Sequence, residues 1–249
     1  GIVLDGVLEE MRLSPARLAE GMRRLDDMSS KTWCERKELA SLVGVLSFAA
    51  SVCPNGRTFM RRLWDFLKRH RGKTVRLTRA VKSDLAWWRR FWVSFNGTSL
   101  CREAQWRSAE NLQFYTDASL EGFGAFFLTP DGPQYIGGKW SDFGIDVSLF
   151  GTAPCGVDDH LRFHTSELEL LAVAISLATW GEHLEKRRFV IEVDNEAAER
   201  TVNSGRARDA GLMVSMREVF YISARHSFEV RCKHIDTKDN VAADALSRD

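Results

Sequence analysis

Two acidic side chains follow directly on apolar runs, at the point where a buried strand would end. Asp117 closes the run FYTD, and Asp194 closes the run RFVIEVD. Two further acids come from separate segments: Glu169 in the first turn of a predicted helix, and Asp244 on a predicted C-terminal helix. Because crowded carboxylates raise one another's pKa and oppose folding, such a set needs divalent cations beside it. Oxygen ligands without Cys or clustered His suit hard ions such as Mg²⁺ or Mn²⁺.

The elements that must position these acids begin near residue 112. NLQFYTD, GFGAFFLTP and PQYIGGKW predict three strands joined by short turns. The later elements are a helix in SELELLAVAISLATWGEHL, a strand in RFVIEV, helices in NEAAERTVN and 209–226, a strand in FEVRCKHI and a helix in NVAADALSR. These crossovers require parallel neighbours, so we predict an α/β fold with a mixed five-stranded sheet and flanking helices. Functional residues would then gather at the carboxyl ends of the strands.

The N-terminal part reads as mainly helical. Thr32-x-x-Glu35 predicts a capping box before one helix. Further helices are predicted at about 57–70 and 79–94, followed by a linker over 96–111.

Charge is uneven along the chain, although the net charge is only +1. Between Arg57 and Arg90 there are twelve basic residues and two acids.

The five cysteines are odd in number and contain no CxxC pair, which argues against a disulfide framework and a zinc site. Neither a signal segment nor a long apolar run is present, so we expect an intracellular protein without a membrane anchor, in cytoplasm or nucleus.

Four motifs together resemble the ribonuclease H domain of retroelement reverse transcriptases. They are TDAS with a following Gly-Phe-Gly-Ala, ELLA at 169–172, VDN at 193–195, and His234 followed by NVAADALSR at 240–248. The resemblance covers about residues 112–249. The stretch NSGRARDAGLMVSMREV is most similar to retroelements of the DIRS kind and less similar to the gypsy-like group.

The helical part resembles the thumb and connection of the same enzymes. ELASLVGVLSFAASVCPNGRTFMRRLWDFLK, followed by LTRAVKSDLAWW, carries this resemblance. It predicts a helical thumb/connection-like region over 1–108 and a ribonuclease H-like domain over 109–249. No polymerase palm is recognisable, because neither Asp-Asp pair of the sequence follows the Tyr-x or Phe-x of the polymerase signature. We therefore expect no DNA synthesis by this chain alone, and we expect it to be a piece of a longer one.

The resemblance implies a metal-dependent endoribonuclease that hydrolyses the RNA strand of RNA–DNA hybrids. Two Mg²⁺ ions, with Mn²⁺ as a substitute, would be held by Asp117, Glu169, Asp194 and Asp244. His234, on the loop before the last helix, would transfer a proton or help the product leave. The implied partners are the hybrid duplex and the palm and fingers of a reverse transcriptase. The residues predicted to contact the phosphate backbone are Arg57, Arg61, Arg62, Lys68, Arg69, Arg71, Lys73, Arg206 and Arg208.

Simpler interpretations exist for the same residues. Ser166-x-x-Glu169 is also a capping box, so Glu169 taken alone would be a helix cap. Asp239 or Asn240 would cap the last helix, which leaves Asp244 inside that helix without a structural role. The motif Gly122-x-Gly124 is too short for a phosphate loop and indicates either strand twist or a close approach of another segment.

Two other functions remain open for the chain as a whole. It would be a non-catalytic nucleic-acid-binding module if the fold were retained without activity, and the basic run would be a solvated helical face if it bound nothing. A transposase or integrase core of the same fold is disfavoured, because such proteins usually take their glutamate from a later helix than the one that carries Glu169.

Overall fold

The computed structural model describes most of the chain. The described residues are 1–7, 9–52, 56–94, 98–99, 105–108, 112–129, 131–145, 157–207 and 209–248. They form two compact units, Gly1–Cys101 and Arg102–Asp249. The predicted boundary between residues 108 and 109 stays a prediction. No helix among the described residues is both long enough and apolar enough to cross a bilayer.

The first unit is mainly helical, as predicted. Its elements are β1 Ile2–Asp5, β2 Glu10–Leu13, α1 Pro15–Ser30, β3 Trp33–Glu35, α2 Arg36–Ala49, 3₁₀ turns Ala50–Val52 and Gly56–Met60, α3 Arg61–Arg69, β4 Thr74–Arg76, α4 Arg79–Ser94 and β5 Thr98–Ser99. Strands β1, β2 and β5 form one sheet, and β3 and β4 form a second. Helices α1 and α3 pack against α4, whose Leu85, Trp88 and Phe91 are fully buried.

The start of α2 differs from the prediction. The capping box is formed by Glu35 and Glu38, three residues after the predicted Thr32-x-x-Glu35. The backbone N–H of Glu35 donates to Glu38 Oε2 at 3.3 Å. The physical reason is that Trp33–Glu35 pairs with β4 as an antiparallel strand, so these residues are not available as a first helical turn.

Part of the predicted linker over 96–111 is structured. Thr98 and Ser99 pair with β2 at the edge of the sheet in the first unit. In the second unit, Arg107 forms a parallel bridge with Phe189, and its backbone N–H donates to the carbonyl of Arg188 at 2.8 Å. Backbone pairing with distant strands overrides the polar composition that indicated a linker.

The second unit contains a mixed sheet with helices on both faces. Its elements are β6 Phe114–Ala118, β7 Gly122–Thr129, β8 Gly132–Lys139, a 3₁₀ turn Trp140–Phe143, α5 Val157–Trp180, a 3₁₀ turn Gly181–Leu184, β9 Arg188–Val193, α6 Glu196–Ser204, α7 Ala210–Arg225, β10 Glu229–His234, a 3₁₀ turn Thr237–Asp239 and α8 Val241–Arg248. The strand order is β10–β9–β6–β7–β8, with β6, β7 and β8 antiparallel and β9 and β10 parallel to β6. The predicted mixed five-stranded sheet with flanking helices is confirmed.

The two faces of β7 carry different partners because side chains alternate along a strand. On one face the ring of Phe127 lies 5.5 Å from the ring of Trp180 in α5. On the other face Gly124 lies against α8, and a Cβ there would collide with the carbonyl oxygen of Ala243 and the backbone nitrogen of Ser247. The interpretation of Gly122-x-Gly124 as a close approach is confirmed.

Helix α5 begins earlier than the sequence indicates. It starts at Val157, whereas the predicted helix begins at Ser166. Glu169 therefore lies in the interior of α5 and not in its first turn. The interpretation of Ser166-x-x-Glu169 as a capping box is wrong, because only the first turn of a helix has free N–H groups to cap.

Candidate metal centre

Three carboxylates meet where β6 and β9 end and α5 crosses the sheet. Asp117 comes from β6, Asp194 follows β9, and Glu169 comes from the interior of α5. One oxygen atom of each carboxylate lies within 4.8 Å of the others. Asp117 is 4% exposed and Glu169 is 2% exposed, while Asp194 is half-buried.

The register of the parallel strands explains why two of these acids are neighbours. Tyr115 pairs with Glu192 and Thr116 pairs with Val193, so the next residues along β6 and β9 are Asp117 and Asp194. Parallel strands end at the same edge of a sheet, so both carboxylates emerge on the same side. Helix α5 packs on β6 and supplies the third carboxylate.

The electrostatic consequences of this crowding are large. The pKa of Asp117 is raised to about 6, chiefly by burial; the hydrogen bond from the O–H of Ser247 opposes the rise, and the charges of Asp194 and Asp244 add to it. Burial also raises the pKa of Glu169 well above its ordinary range, and the charges of Asp117 and Asp194 add to the effect. The folded chain thus favours neutralisation of this cluster, by protons or by cations.

One oxygen atom of Glu169 lacks the partner that a buried carboxylate needs. The backbone N–H of Ala118 donates to this carboxylate. Glu169 Oε2, however, is buried and has no hydrogen-bond partner among the residues that the structure describes. A buried acceptor without a donor costs free energy that a bound cation would recover. The set of three oxygen donors therefore fits a hard divalent cation, whose identity the donors leave open between Mg²⁺ and Mn²⁺.

Helix α8 holds Asp117 through two side chains that sequence reasoning did not identify as site residues. Ser247 Oγ donates to Asp117 Oδ2 at 2.5 Å. Asn240 Nδ2 donates to Asp117 Oδ1 at 3.4 Å and to the carbonyl of Thr116 at 3.0 Å. Asn240, Asp244 and Ser247 are spaced four and three residues apart, which places them on one face of a helix. That spacing is the signal that would have found them.

Asp244 lies beside the cluster and has a structural partner, so the expectation that it has no structural role is wrong. Arg248 donates to Asp244 Oδ1 from Nε at 2.9 Å and from a terminal nitrogen at 2.6 Å. The charge of Asp244 also contributes to the raised pKa of Asp117. Arg248 therefore supplies a positive charge near the acids.

His234 is the last residue of β10 and does not lie on the loop that follows. Its register partner is Val193, which precedes Asp194, so His234 ends a strand next to the one that carries this acid. The loop itself contributes Thr237, whose Oγ1 donates to Asp194 Oδ2 at 3.0 Å. Thr237 is another contact that the sequence pattern did not predict.

Glu167 lies on the same helix as Glu169, but its side chain contacts a different part of the unit. It is 5% exposed. Its carboxylate lies against Gly211, near the start of α7, where a Cβ would have no space. Two buried glutamates two residues apart thus face different parts of the unit.

The predicted phosphate-binding residues fall into two groups. Arg61 lies 3.9 Å from Asp65, and Arg62 lies 3.4 Å from the buried Asp84. Arg62 is therefore tied to the core of the first unit. The remaining described ones are exposed, namely Arg57, Lys68, Arg69, Arg71, Lys73 and Arg206. Arg208 lies outside the described residues.

Comparisons with known proteins find similarity only among solved structures. No protein-family model and no curated protein matches the chain. The ribonuclease H1 of the archaeon Halobacterium salinarum is 15% identical, with 57% of this chain and 94% of that one covered and a TM-score of 0.33. LC11-RNase H1 from compost, in complex with an RNA/DNA hybrid, is 17% identical, with 53% and 91% covered and a TM-score of 0.35.

A third structure is similar over almost the whole length of the chain. It is the foamy viral protease-reverse transcriptase in complex with an RNA/DNA hybrid, at 14% identity and a TM-score of 0.30. The similarity covers 95% of this chain and 29% of the viral one. All these identities and TM-scores are low, so the fold assignment rests on the strand order and register of this chain.

Proposed function

We propose that this chain is a metal-dependent endoribonuclease that hydrolyses the RNA strand of RNA–DNA hybrids. The observation that supports this function best is the convergence of Asp117, Glu169 and Asp194 within 4.8 Å, with Glu169 Oε2 buried and unpartnered. A cluster of this kind destabilises the folded chain unless positive charge is added. A non-catalytic module would have no reason to maintain that cost.

The acids would act as ligands. When bound, divalent cations would supply the charge that activates an attacking water and stabilises the departing 3′ oxygen. Asp117, Glu169 and Asp194 would hold them through carboxylate oxygen atoms. Asp244 would join as a ligand by exchanging its contact with Arg248 for a cation.

Neighbouring side chains would orient these ligands or move protons. Ser247 and Asn240 donate to the two oxygen atoms of Asp117, and Thr237 donates to Asp194, so each of these acids keeps its direction. His234 would transfer a proton or assist product release, because an imidazole can both accept and donate a proton.

The wider context is proposed from the motif resemblance. The host protein would be a reverse transcriptase of a DIRS-like or gypsy-like retroelement, with palm and fingers in the same parent chain. Residues 1–108 would form the thumb/connection and 109–249 the ribonuclease H domain. Exposed basic residues such as Arg57, Lys68 and Arg206 would contact the hybrid backbone, so binding would weaken as salt rises.

The decisive experiment compares two buried glutamates on one helix. An end-labelled RNA–DNA hybrid is incubated with the chain, with and without Mg²⁺, and the matched RNA duplex and DNA duplex serve as control substrates. We expect the RNA strand of the hybrid alone to be cut, and only with Mg²⁺. Glu169→Gln should reduce the rate at least about a hundredfold, whereas Glu167→Gln, which keeps the shape of the side chain, should leave it within about twofold.

Three results would reject the proposal. They are cleavage that survives Asp117→Asn or Glu169→Gln, cleavage without any divalent metal, and equal losses in the Glu167→Gln and Glu169→Gln variants. Hybrid binding without cleavage would support the non-catalytic binding module instead.

A further inference from the structure

A cavity of about 620 Å³ lies in the first unit, beside the β3–β4 pair and the start of α4. Its walls combine cationic, aromatic and hydroxyl side chains. They include Trp33, His70, Arg71, Arg76, Thr78 and Arg79. None of the described residues that line it is acidic. The cavity therefore suits an anion that also has a flat apolar part.

Trp33 is the flat apolar surface of this cavity. On the β3–β4 ladder Trp33 pairs with Arg76, and the neighbouring pair Cys34 and Val75 is buried, at 4% exposure each. Because side chains alternate across a strand, Trp33 and Arg76 share the outer face. Trp33 is 59% exposed. A tryptophan in this position presents a large ring to solvent beside a guanidinium.

The arginines of the cavity differ from other arginines of the first unit. Arg62 and Arg89 are paired with acids. In the part of the chain that the structure describes, Arg71, Arg76 and Arg79 are exposed and form no ion pair. Guanidinium groups in this state are available for phosphate oxygens, which they bind through two parallel N–H donors.

The wall of the cavity is held by hydrogen bonds to Arg36, at the start of α2, and to Thr32, which precedes β3. The guanidinium of Arg36 donates to the carbonyls of Leu67 and His70 at 3.1 and 3.0 Å, which satisfies free carbonyl groups at the end of α3. The backbone N–H of Leu77 donates to the carbonyl of Thr32 at 2.9 Å. A cavity held in this way loses little entropy when a ligand binds.

We propose that this cavity binds an unpaired segment of a nucleic-acid strand, with a base stacked on Trp33 and phosphates beside Arg71, Arg76 and Arg79. Every base offers a flat face to an aromatic ring, and this stacking requires that the base be unpaired. The volume lies within the range of small-ligand pockets. This site is separate from the acidic cluster, and it recognises a single strand where the proposed nuclease site would recognise a duplex.

The first arm of the test measures stacking. The full chain is titrated in EDTA into a fluorescently labelled DNA single strand of about ten nucleotides, and binding is read by polarisation. Trp33→Ala should weaken binding about tenfold, and Trp33→Phe should restore most of it. Phe48→Ala is the matched control, because Phe48 is an exposed aromatic of the same unit, at 46% exposure, and lies outside the cavity.

The second arm separates the base from the phosphates. An abasic strand of the same length should bind the wild-type chain about tenfold more weakly, and Trp33→Ala should not weaken it further. Arg76→Ala should reduce the slope of log affinity against log salt by about 0.7 for both strands. Arg17→Ala, an exposed arginine of α1 outside the cavity, should leave the slope unchanged.

Several outcomes would overturn the proposal. They are a Trp33→Ala affinity within about twofold of wild type, an equal loss on the abasic strand, and a blunt duplex or a polyglutamate peptide that binds as tightly with the same dependence on Trp33. If circular dichroism shows that Trp33→Ala does not fold, the wild-type comparison of intact and abasic strands and the Arg76→Ala slope decide the question. None of these measurements requires cleavage, so a failure of the proposed nuclease activity would leave this test intact.

Discussion

The acidic cluster of the second unit and the basic cavity of the first unit each bring together side chains of one sign of charge, but they differ in solvent exposure. In the cluster, Asp117 and Glu169 are almost fully buried, and one carboxylate oxygen has no partner. In the cavity, Arg71, Arg76 and Arg79 are exposed to water. Repulsion between the buried carboxylates destabilises the folded state. Repulsion between the exposed arginines is screened by water, until a ligand displaces that water.

Because of this difference, the two sites should be detected by different measurements. The buried cluster should affect the pKa values and the free energy of unfolding even when no ligand is present. The exposed cavity should be nearly silent in stability and should appear only in binding, through its dependence on salt.

The largest expected effect comes from the glycine that lets α8 approach the acidic cluster. Gly124→Ala would place a Cβ against the backbone of Ala243 and Ser247, which cannot move without shifting the helix. Because Ser247 orients Asp117, we expect hybrid cleavage to fall about a hundredfold and the free energy of unfolding to fall by about 1–3 kcal/mol. Cleavage assays and urea unfolding measure the two effects.

The control for this variant is a glycine with open space around it. Gly44 lies within α2, and a Cβ there would meet nothing within 4 Å. Gly44→Ala should stabilise the chain by about 0.5–1 kcal/mol and leave cleavage unchanged. Cleavage at the wild-type rate by Gly124→Ala would show that the position of α8 does not matter to the site.

The next effect concerns pH and the stability of the metal-free chain. The pKa of Asp117 is about 6 in the folded chain, against an ordinary value of 3.8, so the folded state binds its proton more tightly than the unfolded state does. Stability should therefore fall as pH rises from about 4 to about 6, by about 2–3 kcal/mol for this group. The raised pKa of Glu169 acts in the same direction.

Asp117→Asn isolates this contribution. In EDTA, the variant should lack this part of the pH dependence and should be more stable than wild type above about pH 6. Urea unfolding at several pH values measures the difference. Parallel profiles for the two proteins would mean that the cluster is not crowded enough to raise the pKa of Asp117.

A smaller effect is expected at the end of β10. His234→Ala removes an imidazole from the end of the strand next to the one that leads to Asp194 but takes away none of the clustered acids. Hybrid cleavage should slow about tenfold, while the Mg²⁺ dependence of thermal unfolding should match that of wild type. An unchanged rate would remove His234 from the proposed mechanism.

The smallest effect tests the other side of the comparison. Arg71→Ala and Arg76→Ala remove exposed charges without a paired acid, so each should change the free energy of unfolding by less than about 0.5 kcal/mol. Arg62→Ala is the contrasting variant, because it would remove a guanidinium that lies 3.4 Å from the buried Asp84 and should cost about 3 kcal/mol. Similar losses in all three variants would contradict the distinction between buried and exposed charge.

The sequence predicted elements well where the pattern itself reflects burial. RFVIEV was expected to be a strand, and it forms β9 at Arg188–Val193, because a continuous apolar run suits a strand covered on both faces. NEAAERTVN forms α6 and ends before Gly205, whose φ of 63° suits glycine. The type and the ends of such elements depend mainly on residues that are close in the sequence.

Local patterns misled where a distant partner decided the outcome. Ser166-x-x-Glu169 has the form of a helix start, but α5 already extends from Val157, so the same residues lie inside the helix. The capping box predicted at Thr32-x-x-Glu35 is wrong, because Trp33–Glu35 pairs with β4 as a strand. A capping pattern shows that a helix could begin at those residues. Tertiary contacts decide whether a helix does begin there.

The identity and order of the acids, and the periodicity of the strands and helices that carry them, can be read from the amino-acid sequence. The contacts of Ser247 and Asn240 with Asp117 cannot, because they join residues 130 and 123 positions apart and depend on the packing of α8 on the sheet. The tertiary structure also decided that Glu169 and not Glu167 joins the cluster, and that Trp33 stands beside Arg76 on one face of the β3–β4 pair. Such contacts depend on how elements pack across the sheet, and packing between distant segments leaves no periodic signal along the chain.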